Sequence, residues 1–193
     1  MKTNIEKNLD TQQKLYILYI NEHIFNVHLI WKTLRPHLKG KFWLDDYAYL
    51  NIHTLIEAHD ASKFKPEEFE GYRQNFFPEG TEEKLPEPFD LAWNHHQKTN
   101  PHHWEYWVLI KKNKLKPLSI PFRYLIEMLC DWASMSFKFK NIPSVWYEEH
   151  KDNMLLHPST ITAIQTWIPL FDKVVAELTN QKINNNETKT SFF

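Results

Sequence analysis

His59 and Asp60 are adjacent, and Ala61, Ser62 and Lys63 follow them. A neutral imidazole nitrogen beside a hard anionic oxygen suits a divalent cation. The pair ends an apolar-periodic stretch and is read as two ligands of a metal site. Other ligands must come from remote segments. The 11 histidines include two doublets, His95-His96 and His102-His103, around Asn100-Pro101. A doublet can place one ring inward and one outward, so one ligand from each is expected. Spacing alone does not choose between the members.

A metal inside an apolar bundle also needs anionic ligands. Asp131 sits between Cys130 and Trp132 in a segment with few other polar residues. An unpaired carboxylate there is costly, so it needs a partner. A metal is one; Arg123 or Lys138 is another, though neither stands at ideal helical spacing. Any single buried histidine is more often a hydrogen-bonded core residue than a ligand. The combination on separate segments carries the metal reading. Lys63, three residues past Asp60, is either a contact for an anionic substrate or a solvated lysine beyond a helix end. Glu105 lies close in sequence to His102 and His103. It is a candidate general base, or a carboxylate that orients a ligand imidazole. Glu67 and Glu68 are candidates for the same roles, but acids also simply favour a helix N-terminus.

The elements that must position these groups are helical. Tyr16, Ile20, His23, Ile24, Val27, Trp31 and Leu34 recur at spacings of three and four, which predicts a helix over 11–38 ending near Pro36. A second helix is expected over 45–59, with His59 on its buried stripe. Pro66 opens a third, with Glu67 and Glu68 behind it. Residues 78–88 read as a loop and 89–97 as a fourth helix. After a break at Pro101, a helical continuation through Trp107 is expected, then a basic loop over 111–119. A long helix follows from Pro121 to Lys140, then a short aromatic segment over 143–150. A last helix, capped by Ser159, runs to Leu178. No strand pair is expected. The organisation is a polar lead-in over 1–10, one helical domain over 11–179 and a polar, disordered tail over 180–193. The fold class is all-α, a single-domain bundle of about six to eight helices.

Composition sets the outer bounds. The chain has 193 residues, 42% hydrophobic and 15% aromatic, enough for one substantial core. Three glycines argue against a Gly-rich phosphate loop. A formal net charge of −1 gives no general drive towards nucleic acid or anionic membranes. A single cysteine excludes an internal disulfide. With no signal-peptide pattern and no membrane-length apolar run, the expected location is cytoplasmic, in a bacterium or in an infected host.

Four stretches resemble an uncharacterised bacterial and phage family, DUF5662. They are His59-Asp60-Ala61-Ser62-Lys63-Phe64 with Pro66-Glu67-Glu68-Phe69, then His95-His96, then Asn100-Pro101-His102-His103-Trp104-Glu105-Tyr106-Trp107, and Cys130-Asp131-Trp132. The resemblance spans roughly residues 15–172. The order His23, His59-Asp60, Asp131 is also similar to HD-domain metal-dependent phosphohydrolases, though Ser62 stands where many of those enzymes have glycine. That resemblance implies an HD-like bundle in which His23, His59, Asp60 and Asp131 hold one divalent ion. A histidine from 95/96 and one from 102/103 would join a second, bridged by Asp60. The ion would be Mn, Fe, Co, Zn or Mg.

The implied activity is hydrolysis of a small phosphate ester, a nucleotide among the options, with Asp60, Lys63 and Glu105 at the reacting centre. The alternatives are a non-haem di-iron oxygenase of HD fold, suggested by the surplus of histidines, and a non-catalytic metal-binding accessory protein. The expected partner is a small phosphorylated molecule, without stable nucleic-acid or membrane binding.

Overall fold

The computed structural model describes residues 9–38 and 46–190, and the side chains among them except 46–47 and 184–190. Seven helices and one small hairpin form the described chain: α1 Thr11–Leu38, α2 Asp46–Glu57, α3 Pro66–Phe76, α4 Pro86–Thr99, β1 Val108–Lys111, β2 Lys114–Pro117, α5 Phe122–Phe139, α6 Pro143–His150 and α7 Pro158–Thr190. The all-α expectation holds. No described helix is long and apolar enough to cross a membrane.

Asp10 caps α1 through its side chain, which accepts from Gln13 N at 2.7 Å, while Gln13 Oε1 accepts from Asp10 N at 3.3 Å. This reciprocal arrangement satisfies two amides at the helix start. α1 spans the expected residues and passes Pro36 by two. The helix runs on to Leu38, whose side chain is fully buried in the core. Proline removes one hydrogen bond near a terminus, and burial of Leu38 outweighs that loss.

α2 stops at Glu57, two residues short of His59; its expected start at Asp45 lies outside the described residues. α4 begins earlier than expected, at Pro86, because proline in a first turn gives up an amide that has no helical partner. The helical continuation expected around His102 is absent; only a short 3-10 turn forms, over Trp104–Trp107. α7 starts at Pro158, one residue before Ser159, and continues past Leu178 to Thr190.

The hairpin is a correction to the expectation of no strands. β1 and β2 pair antiparallel, Val108 opposite Pro117 and Lys111 opposite Lys114. Their turn residues Lys112 and Asn113 have φ of 50° and 57°. Positive φ at both central positions matches the twist of paired strands. The usual glycine signal for such a turn is missing.

Two apolar clusters pack on α1. The larger joins Val27, Ile30 and Leu34 to Ile56 of α2, Ile126 of α5 and Phe171 of α7. The smaller joins Tyr16 and Ile20 to Tyr72 of α3 and Ala92 of α4. α3 and α4 approach closely at Gly71, where an added Cβ would lie 2.4 Å from Pro88 O and 2.8 Å from Ala92 Cβ. His23 falls between Ile20 of one cluster and Val27 of the other, so the polar site occupies the seam between two dry cores.

Candidate metal centre

The turn after α2 builds the centre. Asp60 has φ 57° and ψ 14°. Aspartate tolerates this left-handed conformation better than most residues. The kink leads into a 3-10 turn over Ala61–Phe64 that returns Lys63 to Asp60, with Nζ donating to Oδ2 at 2.6 Å. Asp60 is almost completely buried, at 1% exposure.

The two oxygens of Asp60 face two sets of imidazoles. Oδ2 lies 3.3 Å from His23 Nε2 and 3.7 Å from His59 Nε2. Those nitrogens are 3.3 Å apart, and His23 Nε2 is 3.2 Å from Asp131 Oδ1. Oδ1 lies 3.3 Å from His96 Nε2 and 3.5 Å from His102 Nε2. His103 completes this second set, whose ligand atoms all fall within 4.8 Å of one another, as do those of His23, His59 and Asp131. Atoms each about 2.1 Å from one ion sit roughly 3.0–3.4 Å apart in tetrahedral or octahedral geometry, so most of these spacings suit a shared cation.

Four atoms of the second set carry the fit further. Asp60 Oδ1 and the Nε2 atoms of His96, His102 and His103 are buried without a hydrogen-bond partner among the described residues. A buried unsatisfied polar group costs about 1–3 kcal/mol. Once His102 gives up its proton, a cation satisfies all four converging atoms at once, whereas one water has only two hydrogens to give. The buried histidines and acids could therefore hold a metal ion.

A surrounding layer fixes the ring orientations. Glu127 Oε1 lies 3.1 Å from Nδ1 of both His59 and His102. Glu68 Oε2 lies 2.7 Å from His96 Nδ1 and accepts from Ser62 Oγ at 3.0 Å. His23 Nδ1 is 3.3 Å from Ser134 Oγ. An Nδ1–H held by a carboxylate leaves the Nε2 lone pair free to face a metal. His59, His102 and Glu127 also form a ligand-like triple through the opposite ring faces. The 3.1 Å contacts there are hydrogen bonds that aim Nε2 towards Asp60.

The charges follow from this packing. Burial disfavours charge on every group. Even so, Asp131 and Asp60 raise the pKa of His23 to about 9, and Asp60 and Glu127 raise that of His102 to about 10. Burial, joined by the His102 charge, lowers His59, and burial with the His102 and His96 charges lowers His103 strongly. Lys63 and the neighbouring imidazoles hold Asp60 well below the carboxylate range despite burial. Despite burial, hydrogen bonds from neighbouring imidazoles also lower Glu68, Glu127 and Asp131, so four ionised carboxylates meet at least the three cations His23, His102 and Lys63.

Of the doublets, His96 points inward, fully buried, while the His95 side chain is 32% exposed and only contacts Glu68 Oε1 at 2.7 Å. His102 and His103 both join the Asp60 Oδ1 set, against the expectation of one ligand per doublet. The loop at Asn100-Pro101 is not helical, so consecutive rings need not diverge. Asp131 takes neither suggested cation: Lys138 pairs with Glu22 at 2.7 Å and Arg123 lies over the Tyr124 ring. Arg73 is engaged by Glu82 at 2.6 Å and Glu70 at 2.9 Å.

Glu105 is not the orienting carboxylate; that position belongs to Glu127 and Glu68. Its Oε2 is buried without a hydrogen-bond partner among the described residues, and burial raises its pKa. It lines a cleft of about 360 Å³ with His103, Asp131, Trp104, Trp132 and Trp146. A second, smaller opening of about 100 Å³ is lined by Tyr16, Tyr19, His23, Lys63, Tyr72 and Phe76.

Sequence reasoning did not find Glu127. It stands four residues before Asp131 and so shares its helical face, and that spacing was the available signal. Glu127→Gln is expected to weaken metal binding by about 10–100-fold, the usual consequence of losing a carboxylate behind a ligand histidine. Metal titration of the variant checks this; affinity equal to wild type would remove Glu127 from the centre.

No curated protein and no solved structure matches the chain. The model of a family of unknown function, DUF5662, matches residues 12–169. The residues that build the centre, from His23 to Ser134, fall inside that match, and the chain belongs to this family.

Proposed function

We propose that the protein is a metal-dependent phosphohydrolase of HD type acting on a small phosphate ester. The observation that carries the reading is Asp60, buried and divided between two converging ligand sets. A divalent ion held there would supply Lewis acidity towards a phosphoryl oxygen and would make a bound water more acidic. His23, His59 and Asp131 with Asp60 Oδ2 would hold one ion; His96, His102 and His103 with Asp60 Oδ1 would hold another. Lys63 contributes a cation beside Asp60, where it can meet a phosphoryl oxygen. Glu105, kept towards its neutral form by burial, is suited to give a proton to a leaving oxygen in the cleft. The aromatic walls of that cleft can stack on a planar leaving group such as a nucleobase.

Purification without chelator, metal analysis, and phosphate release across nucleotides and phosphomonoesters with Mn, Co, Zn, Fe or Mg test this reading. Metal-dependent release that is lost in Asp60→Asn is expected. Bound metal with no turnover on any substrate would leave a binding protein in its place.

One observation favours a second reading. Five imidazoles, those of His23, His59, His96, His102 and His103, outnumber the two carboxylates that face them, a nitrogen-rich set that also suits iron. Iron-selective loading and an oxygen-dependent change in the visible spectrum would favour a di-iron oxygenase.

A further inference from the structure

We propose that Tyr16 and Tyr72 form, with Lys63, a three-donor pocket for the terminal oxyanion of a phosphomonoester. The inference rests on the metal-dependent reading and narrows its substrate class. Tyr16 and Tyr72 are 1% and 6% exposed, and neither hydroxyl has a hydrogen-bond partner among the described residues. Their rings lie nearly parallel, 6.5 Å apart between centroids. Both line the same opening as Lys63, whose Nζ is 5.6 Å from the centre of the Tyr72 ring. Lys63 donates one hydrogen to Asp60 Oδ2 and has two more to give.

Two unpartnered phenols in an otherwise dry aromatic cluster are costly unless a ligand uses them. Burial, and then the charges of Asp60 and Glu68, push both phenols far up, so each remains an O–H donor. A ligand rich in acceptor oxygens suits two such donors beside an ammonium. The opening, about 100 Å³, holds roughly the volume of three waters, which is room for one tetrahedral oxyanion. Tyr19 and Phe76 complete its walls. Three donors match the three non-bridging oxygens of a monoester; a diester offers only two. The pocket thus selects terminal phosphoryl groups.

The test is binding of inorganic phosphate and of dimethyl phosphate to metal-loaded protein by calorimetry, in wild type, Tyr16→Phe, Tyr72→Phe and Tyr106→Phe. Metal content and the melting temperature of each metal-free variant are measured alongside. Wild type is expected to bind phosphate and to bind dimethyl phosphate at least about tenfold more weakly. Tyr16→Phe and Tyr72→Phe should each weaken phosphate about 10–100-fold, as loss of a hydrogen bond to a charged group does. Both should keep full metal content and an unchanged or higher melting temperature, because neither hydroxyl has an internal partner to lose. Tyr106→Phe, an exposed tyrosine outside the pocket, should bind phosphate like wild type. Unaltered phosphate binding in Tyr16→Phe and Tyr72→Phe at full metal load overturns this inference alone, as does loaded wild type that ignores phosphate or prefers the diester. Wild type that takes up no metal overturns the metal-dependent reading itself.

Discussion

Asp60→Asn is expected to lose bound metal, to lower any metal-dependent turnover by about 10³-fold or more, and to remain folded. The turnover estimate equates several kcal/mol of lost charge stabilisation with that factor. Asparagine is the informative replacement because the position is left-handed, at φ 57°. Asn is at home there, whereas Ala adds about 1–2 kcal/mol of backbone strain. The substitution therefore isolates charge. Without the carboxylate, the His23, His59, His96 and His102 Nε2 atoms lose the anion they face, and Asp131 is left as the only carboxylate among the proposed ligands.

The same substitution removes the acceptor of the Lys63 ammonium. Breaking a buried ion pair by deleting one partner costs about 3–5 kcal/mol. Part of that is recovered as His23 and His102 give up protons that Asp60 helps to hold. A net loss on the order of 2–4 kcal/mol is expected in urea unfolding of the metal-free protein. Elemental analysis and circular dichroism complete the experiment. A folded Asp60→Asn protein with wild-type metal content would place the ions elsewhere.

Much of the frame of this site could be read from residue order, because helical periodicity and burial are local statements. The stripe from Tyr16 to Leu34 placed His23 on a buried face, and it is 6% exposed. Asp131, isolated in an apolar run, needed a partner and has one in His23. What periodicity could not supply was the phase of α4. His96 turns inward because Ala92, one turn earlier, is pressed against Gly71 of α3. That is a tertiary contact between two small residues, invisible in either segment alone. His102 and His103 lie in a loop, where no period applies. Glu127 looked like an ordinary charge on an amphipathic helix. Its role follows from two histidines remote in sequence, His59 and His102, converging on one oxygen. The hairpin escaped because Lys112-Asn113 makes its tight turn without glycine.

The metal-free protein is expected to lose stability as the pH rises from about 6.5 to 10, and metal loading should erase that loss. His23 and His102 titrate in the folded chain at about 9 and about 10, against an ordinary value of about 6.5. A raised histidine binds its proton more tightly when folded. Its contribution is therefore full below about 6.5 and disappears as the pH climbs through the folded values. Each unit is worth about 1.4 kcal/mol, so the two together amount to several kcal/mol as an upper bound, since the two sites share Asp60. His59 and His103, lowered by burial, act in the opposite sense: their contribution falls away as the pH drops below about 6.5. Asp60 and Asp131, both depressed, lose theirs only in stronger acid. The metal-free melting temperature should therefore peak near neutrality.

A metal ligand must present a lone pair, so uptake of metal near pH 7–8 has to expel the protons on His23 and His102. Calorimetric titration with a divalent ion in HEPES and in Tris, whose ionisation heats differ, should report release of up to about two protons per chain, with affinity rising as the pH increases. A metal-free melting temperature that stays flat from pH 6.5 to 10 would contradict the proposed protonation of His23 and His102. Metal binding whose heat is independent of the buffer would mean that these imidazoles are not the groups that take the ion.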